Sequence, residues 1–128
     1  MLFNNILLAF DSSNPSKKAA EYAINLAALE NSTLTFIHVI DDIKQGGAIG
    51  LRARYGDVDL VNGFKKARRQ QAEEWGQPMQ KMANDKGIKT NVAILEEEGG
   101  SKLEIITQYV IENNIDLVVM GSRGLSRF

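Results

Sequence analysis

Asp116-Leu117-Val118-Val119-Met120-Gly121-Ser122-Arg123-Gly124-Leu125-Ser126-Arg127-Phe128 carries the reading of the whole chain. Its run of Leu, Val, Val and Met, bounded by a charged residue and a glycine, describes a strand buried on both faces, as inside a parallel sheet. Gly121 and Gly124, three apart and directly after that strand, permit a tight turn in which backbone approaches a ligand closely. Arg123 between them offers an anion a planar fork of donors. A strand running into such a loop is one way an α/β protein holds a nucleotide. Glycines at a strand end also serve as plain turn residues, and the stretch alone leaves both readings open.

The rest of the chain supplies the partners that strand needs. Ile6-Leu7-Leu8-Ala9-Phe10 is a continuous apolar run, hence a central strand, and Asp11 ends it. Asn14 reads as an N-cap with Pro15 at the first helical position. Ala19, Ala20, Ala23, Ile24, Leu26, Ala27 and Ala28 then recur at helical spacing up to about Glu30. Asn31-Ser32 breaks the helix, and Thr33 to Ile40 is β-branched and aromatic, a second strand. Asp41 to Asp59 has no period and holds four glycines, which predicts a mobile loop. Val61, Phe64, Ala67/Arg68, Ala72, Trp75, Met79 and Met82 mark one face of a long helix ending near Lys86, and Gly76 and Pro78 inside it predict a kink or break near Trp75. Lys89 to Leu95 is the third strand. Ser101 and Glu104 form a capping box ahead of a helix whose apolar face is Ile105, Ile106, Tyr109, Val110 and Ile111. Ile115 to Met120 is the fourth strand.

Alternation of strand and helix predicts a single α/β domain over residues 1–128, a doubly wound parallel sheet with helices on both faces. The expected strand order is 3-2-1-4, with a topological switch between the first and fourth strands. Ligands of open α/β sheets bind outside the carboxyl ends of strands at such a switch. The loops after Phe10 and after Met120 are thus expected to be neighbours.

Composition narrows the function. The chain has 15 basic and 16 acidic residues, so no charge excess argues for nucleic acid or an anionic membrane. It has no cysteine, which excludes disulfides, thiolate metal sites and cysteine nucleophiles, and its one histidine argues against zinc and against a Ser-His-Asp triad. The N-terminal ten residues lack a basic region and a long apolar run, so the expectation is a cytoplasmic protein with no membrane span. No Walker lysine motif and no evident water-activating base stand in the loops, which ranks slow ATP hydrolysis or phosphoryl transfer below a binding role.

Met120-Gly121-Ser122-Arg123-Gly124-Leu125-Ser126 after Asp116-Leu117-Val118-Val119 resembles the nucleotide loop of the universal stress protein family. Asn5 to Ser13 and Leu34 to Ile40 resemble that family's first two strands, so the likeness covers essentially the whole chain. It implies a Rossmann-like fold and a stress-response sensor or adaptor that binds an adenine nucleotide, ATP or AMP, with Mg2+ as an optional companion. By position, the resemblance gives Asp11 to the ribose, backbone at Val39 to the adenine edge, and Met120, Gly121, Arg123 and Gly124 to ribose and phosphates, with Ser12 close by. The family pattern continues with a second Gly-Ser or Gly-Thr, a further helix and a fifth strand that commonly forms a homodimer edge. This sequence stops at Phe128, before them, and the expectation is that the natural protein is longer. A family member that dimerises without binding nucleotide is the alternative implied.

Each singled-out residue also has a plainer role. Asp11 can bond its own turn, and Ser12 and Ser13, which could contact phosphate, can equally cap the first helix. His38, in an apolar strand, suits packing better than proton transfer. Lys65-Lys66-Ala67-Arg68-Arg69 and Glu96-Glu97-Glu98 read as solvated surface.

Overall fold

The computed structural model describes residues 2–41 and 56–122. The four strands are β1 (Asn5–Ala9), β2 (Thr33–Ile40), β3 (Thr90–Glu96) and β4 (Leu117–Met120). The three helices are α1 (Asn14–Glu30), α2 (Val58–Asp85) and α3 (Lys102–Glu112). The strands form one parallel sheet in the order β3-β2-β1-β4. The expected order is therefore the observed one, and β1 lies between β2 and β4.

Strand alternation sends the side chains to two cores. On one face Ile6, Leu8, Phe10, Leu34 and Phe36 meet Ala20, Ala23, Ile24 and Ala27 of α1 and Met79 and Ala83 of α2. The run of alanines lets α1 lie close to the sheet. On the other face Leu7, Ile37 and Val39 meet Ile106 of α3, with Ile105, Tyr109 and Val110 around it. Helices thus lie on both faces. This arrangement follows from chirality: right-handed crossovers put α1 and α2 on one side, and the reversed step from β3 to β4 puts α3 on the other.

Several local readings need correction. Of the two cap readings for α1, the Ser13 one holds and the Asn14 one does not: the Ser13 side chain accepts from Ser16 N–H, and Asn14 is already helical. α2 runs without a break from Val58 to Asp85. Gly76 is not a break but part of the buried stripe Ala72, Gly76, Met79, Ala83. Pro78 and Glu74 both face solvent, where water can take the carbonyl that proline leaves without a donor. Met82 falls off that stripe and is 44% exposed, and Ile111 is 72% exposed on the flank of α3. The predicted loop from Asp41 to Asp59 lies largely outside the described residues, and its last part is already α2.

Two charged segments read as solvated surface are partly structural. Arg69 of α2 donates to the Ile94 carbonyl at 3.0 Å, and with Lys65 it pairs with Glu96. Ile94 belongs to β3, the outer strand of the described sheet, so Arg69 satisfies a carbonyl on that strand.

Candidate functional site

The sheet's carboxyl end gathers the residues of interest. Pairing of β1 with β2 stops at Ala9–Ile37, with one further bond from Phe10 N–H to Ile37 O at 3.0 Å. β1 pairs with β4 as far as Ala9–Met120. Beyond these last rungs the chain leaves the sheet at Asp11 on one strand and at Gly121 on the other.

Asp11 is half-buried and folded into its own turn. Its Oδ1 accepts Ser13 N–H at 2.7 Å, and its N–H donates to Ser16 Oγ at 2.9 Å. Ser16 N–H in turn donates to Ser13 Oγ at 3.2 Å. Three short polar residues thus bind the end of β1 to the start of α1. Ser12, between them, is exposed.

Gly121 reaches the same helix start from β4. A Cβ placed on it would lie 2.7 Å from the Pro15 carbonyl carbon, 2.8 Å from its oxygen and 2.9 Å from Ser16 N. Only glycine permits that approach. The Asp11 and Gly121 loops therefore both contact Ser16, and the first turn of α1 sits between them. Here Asn14, Pro15, Lys18, Ala19, Met120, Gly121 and Ser122 line an open hollow of about 480 Å³. Lys18 and the positive end of the α1 dipole give it an anion-favouring character. Asp11 and Val39 are not among its lining residues.

Val39 buries its side chain in the α3-side core. Its backbone has the same ladder parity as Thr33 and Ile37, whose peptide groups bond to β1, so it faces the place where β1 has already ended. Asp11, Ser12, Met120 and Gly121, at the ends of β1 and β4, and Val39, which the family resemblance implied near the end of β2, all lie at one end of the sheet. Arg123 and Gly124 lie outside the described residues.

His38 is more involved than a packing residue. Its Nδ1–H donates to the Phe10 carbonyl at 2.7 Å, and its ring lies 5.5 Å from the ring centres of both Phe10 and Trp75. A carbonyl only accepts, so Nδ1 carries the proton. Burial pushes the His38 pKa below its usual value. The Phe10 bond opposes this, Lys102 adds to it, and Asp11 and Asp41 oppose it. Lys102 itself pairs with Asp41, which bridges the end of β2 to the start of α3. The capping serine of that helix is as expected: Glu104 N–H donates to Ser101 Oγ at 3.1 Å. The sequence signal for His38 was its position, two residues before the end of the strand beside β1. No group of three or more His, Cys, Asp or Glu that could hold a metal occurs among the described residues.

A parallel α/β sheet whose Asp- and Gly-bearing loops converge at the switch between β1 and β4 is a doubly wound Rossmann-like fold. The chain belongs to the universal stress protein family, whose family model matches residues 2–128. It is 30% identical over 123 residues to universal stress protein MJ0531 of Methanocaldococcus jannaschii, covering 96% of this chain and 66% of that protein. The chain therefore spans just under two thirds of that relative. In fold it is similar to UspA from Lactobacillus plantarum, with TM-score 0.75 and 22% identity, over 94% of this chain and 77% of that one. It is also similar to the universal stress protein from Archaeoglobus fulgidus in complex with dAMP, with TM-score 0.63 and 19% identity, over 96% and 84% of the two chains. Among the described residues no helix is long and apolar enough to cross a membrane.

Proposed function

We propose that this chain is one domain of a stress-response sensor or adaptor that binds an adenine nucleotide, AMP or ATP, at the β1–β4 switch. The observation that carries this reading is the meeting of the Asp11 and Gly121 loops on Ser16 at the first turn of α1. A carboxylate beside a close backbone approach and a helix N-terminus matches a ribose with its phosphate. A hollow of about 480 Å³ is within the usual range for a small-molecule site. The dAMP complex of a protein with the same fold supports the nucleotide class. Asp11 serves the ribose, Val39 backbone the adenine edge, Met120, Gly121, Arg123 and Gly124 the ribose and phosphates, and Ser12 the phosphates. ATP would bring Mg2+ on its own phosphates. The protein would act in the cytoplasm, as a homodimer.

A second reading has its own observation. Asp11 Oδ1 is bonded to Ser13 N–H and Gly121 is packed on Pro15, so both residues have structural work without a ligand. A dimeric interaction module that binds no nucleotide would look the same here.

Thermal unfolding with AMP, ATP or GMP separates the two. The first reading expects AMP or ATP to raise the midpoint, by roughly 2.7 kcal/mol of added stability at a hundredfold excess over Kd, with GMP weaker. No shift with any of them, alongside a dimeric mass in light scattering, establishes the second.

A further inference from the structure

The peptide joining Phe10 to Asp11 is held at both ends by side chains from other elements. Its carbonyl accepts His38 Nδ1–H at 2.7 Å, and its N–H donates to Ser16 Oγ at 2.9 Å. His38 comes from β2 and Ser16 from α1. Regular ladder geometry would keep that carbonyl in the plane of the sheet. His38 alternates with Ile37 and Val39, whose side chains are in the α3-side core, so its ring stands on the α1 and α2 side. A 2.7 Å bond to that ring therefore turns the carbonyl out of the sheet plane, toward α1 and α2. The ring has little freedom to follow another path: Phe10 lies against one side and Trp75 meets it edge-on at 85°. Ser16 is equally fixed, being buried in the first turn of α1.

We propose that His38 and Ser16 are positioning residues that clamp the Phe10–Asp11 peptide and so aim the Asp11 carboxylate at the ribose of a bound adenine nucleotide. The inference rests on the nucleotide reading above. Fixing that peptide plane sets where the Asp11 N and Cα stand at the end of β1, and the Ser13 N–H bond to Oδ1 at 2.7 Å then holds the carboxylate that swings from them. A carboxylate held in one direction accepts from ribose hydroxyls without the cost of ordering it on binding. The neutral state of His38 suits this role, because burial disfavours its charged form while Nδ1–H stays on the carbonyl.

The test compares AMP with 2′,3′-dideoxy-AMP by titration calorimetry. The proteins are the wild type, His38→Phe, His38→Asn and Ser16→Ala, each with a thermal midpoint. Wild type is expected to bind AMP about tenfold or more tighter than the dideoxy analogue, the usual scale for a hydrogen bond to a charged group. His38→Phe keeps an aromatic ring against Phe10 and Trp75 but removes the donor, and Ser16→Ala removes the acceptor. Both are expected to shrink the ratio to about threefold or less, because Asp11 loses its fixed direction. His38→Asn places an amide nitrogen the same number of bonds from the backbone as Nδ1 and restores most of the ratio. A structural role alone lowers the midpoint and leaves the ratio intact. An unchanged ratio in folded His38→Phe and Ser16→Ala therefore overturns the proposal while leaving nucleotide binding standing. Equal binding of both ligands by wild type also overturns it. Failure of wild type to bind AMP overturns the nucleotide reading and the clamp's purpose together. If His38→Phe does not fold, Ser16→Ala, which releases the other end of the same peptide, gives the decision.

Discussion

Replacing Gly121 by alanine tests the close approach that joins β4 to α1. The added Cβ would stand 2.7 Å from the Pro15 carbonyl carbon, whereas ordinary contact begins near 3.4 Å. Some element must therefore move by about 0.7 Å, the gap between those two distances. The atoms met are backbone of the first turn of α1, so no flexible side chain can swing aside. α1 cannot retreat cheaply either, since Ser16, Ala20, Ala23 and Ile24 of that helix are buried against the sheet. Overpacking of this kind costs about 1–3 kcal/mol. At roughly 4 °C per kcal/mol for a protein of this size, the midpoint should fall by about 4–12 °C. Thermal unfolding by circular dichroism without ligand measures it. Gly63→Ala is the control: nothing lies within 4 Å of its Cβ, and it sits exposed inside α2. That change should stabilise by about 0.5–1 kcal/mol through helix propensity. A Gly121→Ala midpoint within about 1 °C of wild type, beside the expected rise in the control, would refute the close approach.

Other perturbations follow from single contacts. Ser13→Ala removes the acceptor for Ser16 N–H and should cost about 1 kcal/mol in urea unfolding, with Ser13→Asp retaining most of the stability. Asp116 accepts from Asn4 N–H at 2.9 Å and Asn5 N–H at 3.1 Å, which pins the start of β1 to the start of β4. Asp116→Ala should cost about 1 kcal/mol, the site being exposed, with the loss shrinking for Asp116→Asn. Arg69→Met should leave the fold intact but raise light scattering at high concentration, because the Ile94 carbonyl on β3 loses its donor. His38 is held below its usual value of 6.5, chiefly by burial, so the unfolded chain takes up its proton first. Stability should be full above about pH 6.5 and fall as pH drops below it, levelling off once pH is under the folded value. Urea titrations of wild type and His38→Phe between pH 5 and 8 should show this slope only in the wild type.

The elements that could be read without coordinates were those with one dominant signal. Ile6 to Phe10 and Leu117 to Met120 are unbroken apolar runs, and each gave a strand with helices on both faces, but β4, an outer strand of the described sheet, is half-buried rather than buried on both faces as expected. The order of the strands followed because alternating strand and helix leaves few right-handed ways to close a parallel sheet. The misreadings fell where two local signals competed. Asn14 and Ser13 are both good caps, and the choice was made by the Ser13–Ser16 bond rather than by cap preference. Gly76 and Pro78 look like helix breakers, yet Gly76 makes room for the Phe10 ring, whose nearest atom would be 3.1 Å from an added Cβ. Met82 and Ile111 matched the helical spacing but lie on the flanks of their stripes, since spacing fixes a helix face only to within the width of the groove that receives it.

The site divided in the same way. Asp11 and Gly121 could be named in advance because turn and glycine chemistry marks the ends of strands. Their meeting on Ser16 could not, because Ser16 is an unremarkable polar residue in the first turn of a helix. His38 likewise looked like a satisfied core residue, and it is satisfied, but by the carbonyl that precedes Asp11. The amino-acid order determined the elements, their succession and the parallel sheet, because periodicity and chirality act along the chain. That His38 takes the Phe10 carbonyl and that Gly121 packs on Pro15 was decided only by the tertiary structure, because those contacts join residues 28 or more positions apart through packing that no local preference encodes.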